Sequence, residues 1–136
     1  LLWTMPGVPS VYYGSEWLIP GSKAEGDAAL RPAWHEVPKD DDRLVRFLGE
    51  LSRIRRESPA IRRGTYRQLH VGNETFAFAR EAREETVIVA VNASEEAVTL
   101  PVEGGAVYID LFAGAQVPAG EGIPVPAKGA AVLRAE

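Results

Sequence analysis

The spacing of apolar residues in this chain changes once, at Gly64. Upstream, Leu44, Phe47, Leu48, Leu51 and Ile54 fall on one stripe at helical spacing, which predicts an amphipathic helix over residues 41–57. Pro59 stops it. Val8 to Tyr13 is an unbroken apolar, β-branched and aromatic run with Pro9 near its start. Such a run suits a strand buried on both faces, as in a parallel sheet, and Gly14 offers a sharp exit from it. Between strand and helix, residues 14–39 read as a long loop punctuated by Pro20-Gly21, Gly26-Asp27, Arg31-Pro32 and Val37-Pro38. Leu1 to Met5 read as the end of a helix.

Beyond Gly64 the period falls to two. Strands are predicted at 65–71 and 75–80, with Phe76 and Phe78 on one face and Ala77 and Ala79 on the other. Residues 86–92 are apolar on both faces and predict a central strand. Strands at 97–102 and 106–112, separated by Gly104-Gly105, come next. A glycine-rich bend through Gly114, Gly120 and Gly122, a short strand at 123–125 and a last strand at 130–134 complete the series. Many short strands at close spacing predict an antiparallel sandwich or barrel.

Composition narrows the class. The 136 residues make one domain or one and a half small ones, and 46% apolar with 25% charged residues is the balance of a soluble globular protein. A net charge of −4 argues against nucleic acid or an anionic membrane as partner, and no apolar run has the length of a membrane span. With no cysteine there is no disulfide framework, which fits a reducing, cytoplasmic setting. Leu1 to Met5 lack a charged leader and a cleavage site, and a chain rarely opens in the last turn of a helix, so a C-terminal fragment of a longer protein is expected. Asp40-Asp41-Asp42 reads as a helix start, with one Asp as N-cap, rather than as a calcium loop. Arg53, Arg55 and Arg56 suit the helix C-terminus through the dipole, and Asp42 and Arg46 stand one turn apart for pairing. His35 and His70 are far apart and lack spaced partners, so no metal site is expected. No sequence motif calls for a cofactor. Asn73-Glu74-Thr75 and Asn92-Ala93-Ser94 match the glycosylation sequon, in positions where turn chemistry also favours Asn.

Gly7, Pro9, Tyr12, Gly14 and Glu16 spell a pattern that resembles the last barrel strand of the alpha-amylase superfamily of glycoside hydrolases, roughly G-x-P-x-x-Y-x-G-x-E. The family usually places Asp before that Glu, where this chain has Ser15. Asp27-Ala28-Ala29-Leu30-Arg31-Pro32-Ala33-Trp34 resembles the family's segment after that strand. Leu51 to Gly64 resembles the helix end "L-x-x-L-R-x-x-x-P-A-L-x-x-G" that hands over to the C-terminal domain, and Val107 to Gly114 resembles a late strand ending "D-L-L-x-G". The resemblance implies an α+β chain. Residues 1–63 would be the last strand-helix unit of a (β/α)8 TIM barrel, and 64–136 an all-β antiparallel Greek-key sandwich. It also implies a parent of the cyclomaltodextrinase, neopullulanase or α-glucosidase-like type acting on α-linked glucans, or a related transglycosylase.

Retaining glycosidases need two carboxyl groups about 5 Å apart. The family's catalytic motifs are absent here, so no catalytic residue is expected in this chain. Glu16, Asp27, Arg31 and Trp34 are the substrate-side candidates. For Glu16 the alternative is a salt bridge to Arg31, and for Trp34 it is packing beneath the loop. Expected partners are an α-glucan reached through the parent enzyme, the remainder of the barrel, and a second copy of the chain. A different class of reading is a non-catalytic β-sandwich that binds carbohydrate or a partner domain. Such a module should expose a row of aromatics, whereas here they alternate along strands.

Overall fold

A computed structural model describes residues 1–31, 33, 35, 42–102, 107–118, 120 and 122–136. They fall into two compact units, Leu1–Gly7 with Ile54–Glu136, and Val8–Arg53. Two helices, α1 (Arg43–Glu57) and α2 (Pro59–Arg63), precede eight strands. These are β1 (Thr65–Val71), β2 (Thr75–Ala82), β3 (Glu85–Asn92), β4 (Val98–Leu100), β5 (Val107–Asp110), β6 (Gln116–Pro118), β7 (Ile123–Val125) and β8 (Gly129–Ala135).

In the first unit, six strands form one sheet in the order β1-β2-β3-β8-β5-β6, and β4 pairs with β7 in a second layer. All of these pairings are antiparallel. The chain thus leaves the large sheet after β3 and again after β6, and β8 returns to lie between β3 and β5. This is a β-sandwich whose second layer is only two strands wide.

Period-two alternation places a core on each face of the large sheet. Ala77, Ile88, Ala90, Tyr108, Ala131 and Leu133 face Leu100, Ile123 and Val125 of the two-stranded layer. Phe78, Val87, Val89 and Val132 form the other face and pack on Ile54, Ala60 and Ile61 from the helices. Residues 87–90 are all buried, which makes β3 the central strand that its composition predicts. Burying each such side chain contributes about 1.5–3 kcal/mol. Phe76 and Phe78 lie on the face opposite Ala77, as their alternation requires.

Pro59 ends α1 and also opens α2. Ser58 is its N-cap, with Oγ accepting from Ile61 N at 3.1 Å, and Pro59 takes a first helical position that needs no N–H donor. Glu85, at the start of β3, braces this junction: its Oε2 accepts from Ser58 Oγ and, at 2.9 Å, from Ala60 N. Gly64 follows because a Cβ there would stand 2.4 Å from Ala60 O. The D-L-L-x-G likeness is an Asx turn, in which Asp110 Oδ1 accepts from Phe112 N at 2.7 Å and Ala113 N at 3.1 Å. Gly114 closes it at φ 67°. The glycine-rich bend that follows also holds β6, three residues that sequence spacing does not reveal.

At Asn92 the structure agrees with turn chemistry, the other reading of the second sequon match. The Asn92 side chain is buried, with Nδ2 donating to Glu96 O at 2.7 Å and Pro126 O at 3.1 Å, and Oδ1 accepting from Ser94 N at 2.9 Å. An amide engaged in this way is a turn brace, not a glycan acceptor.

In the second unit the strand expected at Val8–Tyr13 does not form. Val8 is 91% exposed and the segment bends at Tyr12, whose carbonyl accepts from Ser15 N at 3.1 Å. A parallel strand needs a partner on each edge, and among the described residues none pairs with it. The helix expected over residues 41–57 forms as α1, Arg43–Glu57. Of its stripe, Ile54 is buried and Phe47 is 51% exposed. Asp42 and Arg46 pair at 2.6 Å, while Asp40 and Asp41 lie outside the described residues, as do Gly104 and Gly105. No helix among the described residues is long and apolar enough to cross a membrane.

Candidate functional site

The stretch from Tyr12 to Arg31 builds its own small cavity. Gly14 takes φ 89°, and a Cβ there would meet Ile19 Cδ1 at 2.6 Å, so only glycine suits the bend. The Gly14 carbonyl then accepts from Trp17 N at 3.1 Å and Ile19 N at 3.2 Å, winding Ser15–Trp17 into one 3-10 turn. Glu16 is the middle residue of that turn. Gly21 lies against the returning chain, where a Cβ would meet Ala29 O at 2.8 Å. Ser22 caps the short turn Lys23–Glu25 by accepting from Ala24 N at 3.2 Å. A cavity of about 160 Å³ results, lined by Tyr12, Tyr13, Gly14, Ile19, Gly21 and Leu30 among others.

Glu16 is half-buried, and its Oε2 is buried with no hydrogen-bond partner among the described residues. A buried unpartnered polar atom costs about 1–3 kcal/mol, more for a charged group. Among those residues no ion pair joins Glu16 to Arg31, so the salt-bridge alternative is not what the fold makes. Asp27 opens a turn whose carbonyl accepts from Leu30 N at 3.2 Å, and its side chain is exposed. Arg31 is exposed and lies within electrostatic reach of Tyr13. Desolvation and the neighbouring Tyr12 hold the Tyr13 hydroxyl above its ordinary value, with the Arg31 guanidinium opposing them. The two tyrosine rings lie 4.8 Å apart, tilted by 40°. Trp34 lies outside the described residues.

The loop thus carries the tyrosine pair and Glu16 on one bend, and Asp27 and Arg31 on a later turn beyond Lys23–Glu25. Among the described residues no hydrogen bond or ion pair links Glu16, Asp27 and Arg31. The tyrosine pair lines the cavity, where phenols suit holding hydroxyl groups, whereas Glu16 is not among the lining residues and its Oε2 is closed to solvent. Cleaving a glycosidic bond by retention needs a second, closely placed carboxyl group. Among the described residues there is no group of three or more His, Asp or Glu side chains arranged to hold a metal ion.

Sequence spacing misses Arg55 and Arg80. Arg55 reads as a cation compensating the dipole of α1, but its guanidinium donates to the carbonyls of Trp3 at 2.7 Å, Met5 at 3.3 Å and Gly7. Arg80 is 1% exposed. The available signal is its place two residues beyond Phe78, on the face that alternation assigns to the core.

Residues 66–130 match the family described as Maltogenic Amylase, C-terminal domain. The chain is 35% identical to a cyclomaltodextrin glucanotransferase of Klebsiella oxytoca over 68% of its own length and 15% of the relative's. It is 31% identical to neopullulanase 2 of Thermoactinomyces vulgaris, over 84% of this chain and 20% of that one. The crystal structure of an Anoxybacillus alpha-amylase superposes with a TM-score of 0.82 at 27% identity, over 98% of this chain and 30% of that structure. The chain therefore spans about a fifth or less of the length of these curated relatives. The six-stranded sheet with its two-stranded cover, the Asx turn at Asp110 and these likenesses agree, and the sandwich is the C-terminal domain of an alpha-amylase family enzyme.

Proposed function

We propose that this chain is the C-terminal portion of a glycosidase that cleaves α-glucosidic bonds in maltodextrin-like glucans by a retaining mechanism. The observation that carries the reading is the likeness to neopullulanase 2. It covers 84% of this chain, more than residues 66–130 alone supply, and so extends beyond the sandwich. In this reading the chain contributes structure and substrate-side contacts, and the carboxylate pair belongs to other parts of the parent. Glu16, Asp27, Arg31 and Trp34 are its substrate-side candidates, the tyrosine pair lines the cavity beside them in sequence, and an α-glucan is the partner. The glucanotransferase likeness keeps transfer to a sugar acceptor within the same chemistry, because hydrolysis and transfer share the glycosyl-enzyme intermediate. A non-catalytic sugar-binding sandwich finds less support, since Phe78 and Tyr108 are spent on the core.

The test uses the natural polypeptide that contains this chain, with maltotriose as substrate and proton NMR as readout. Initial release of the α-anomer is the expected result, and initial release of the β-anomer or no turnover overturns the reading. The purified 136-residue chain should give no product above blank, and turnover by it alone would overturn the non-catalytic role.

A further inference from the structure

Among the described residues Arg80 is the largest fully buried side chain, and no carboxylate there pairs with it. A buried charge persists only when its donors are satisfied. Arg80 meets that demand with carbonyl oxygens alone: Nη1 donates to Thr4 O at 2.8 Å, Nη2 to Gly64 O at 2.7 Å and Nε to Thr65 O at 3.4 Å. Arg55, on the last turns of α1, does the same for Trp3, Met5 and Gly7. The two guanidiniums therefore take the carbonyls of residues 3, 4, 5 and 7 in a segment only seven residues long.

Two features set this apart from incidental contact. The first is cost: burial and the nearby Arg55 charge both push the Arg80 pKa down, so the fold keeps two like charges close where a neutral side chain would avoid the repulsion. The second is what is recognised. Thr4, which is 3% exposed, spends its hydroxyl on Leu1 O at 3.0 Å, and Thr4 N and Met5 N donate to the same carbonyl at 2.9 and 3.0 Å. The segment is a single turn with its carbonyls aimed at the arginines. The planar fork of a guanidinium spans several carbonyls at once, which an ammonium on a flexible stem does not.

We propose that Arg55 and Arg80 form a paired clamp that holds Leu1–Gly7 on the sandwich through its backbone. The clamp fixes the backbone of the segment from Trp3 to Gly7, beside the packing of Met5 on the core and the Thr4 hydroxyl that shapes the turn. It stands on geometry and does not depend on the proposed glycosidase activity.

Amide hydrogen exchange on the 136-residue chain tests it. In Arg55→Met, the Thr4 and Met5 amides should exchange about tenfold faster or more, the loss expected for charge-assisted hydrogen bonds, while the β3 amides keep their rates. Arg55→Lys should not restore protection. Ethylguanidinium at millimolar concentration should restore it in Arg55→Ala. Leu2→Ala, at a side chain that is 49% exposed, should leave it within about twofold, because the hold is on the backbone. Arg80→Met is the harsher variant, and Arg55 decides the question if that one does not fold. Unchanged Thr4 and Met5 exchange in Arg55→Met, full protection in Arg55→Lys, or release in Leu2→Ala as large as in Arg55→Met would overturn the clamp.

Discussion

The hydroxyl of Tyr108 is buried among Ile88, Leu133 and their neighbours, with no hydrogen-bond partner among the described residues. Removing it should help rather than harm. We expect Tyr108→Phe to raise stability by about 1 kcal/mol, a few degrees in the melting temperature, measured by thermal unfolding. Burial also raises the Tyr108 pKa above its ordinary value of 10.0. The unfolded chain then ionises first as pH climbs. The stability this tyrosine lends is present below about pH 10 and is lost as pH rises toward the folded value. Tyr108→Phe should flatten that alkaline decline, and an unchanged decline would assign it to other groups. Nothing in the alternation of β5 announces an orphan hydroxyl: the pattern says which residue points inward, not whether its polar end finds a partner.

Among elements, the α2 junction shows how much one carboxylate can carry. Glu85 ends the β2–β3 turn in sequence but serves α2 in space, through Ser58 Oγ and Ala60 N. Glu85→Ala leaves Ala60 N without this acceptor in a part-buried site. A loss of about 1–3 kcal/mol in urea unfolding is expected. Glu85→Gln, which keeps one carbonyl acceptor, should recover part of it. A loss below a few tenths would show that water replaces the carboxylate. These elements also show what sequence makes legible. β2 reads clearly from its alternation and β3 from its unbroken apolar run, and the two pair in register over eight residues each. β6 and α2 do not, because three and five residues are too short to show a period. The stretch Val8–Tyr13 has strand composition, yet composition supplies no edge partners. At the candidate site, the Gly14 bend and Glu16 beyond it were readable from residue types. The guanidinium contacts to Trp3–Gly7 were not, since they join residues 48 to 76 positions apart.

For the whole molecule, the change of period at Gly64 marks a change of secondary structure, while burial reaches further back. Ile54, Ala60 and Ile61 cover one face of the large sheet. A chain of residues 64–136 would expose Phe78, Val87, Val89 and Val132 on that face. We therefore expect a chain of residues 54–136 to unfold cooperatively and a chain of 64–136 to melt lower, with a dye-binding apolar face. Equal melting temperatures would show that the helices add nothing to the sheet.

Strand order sets a timetable during synthesis. β3 gains its second neighbour only when β8 exists, and the paired residues Val89 and Val132 lie 132 − 89 = 43 positions apart. At about 5–20 residues per second, a ribosome needs about 2–9 seconds to cover that distance. Through that interval the nascent chain carries an apolar strand with one open edge, the state most prone to pairing with another chain. The cell's demand for shielding is therefore highest in the interval just before the strand that closes this edge emerges.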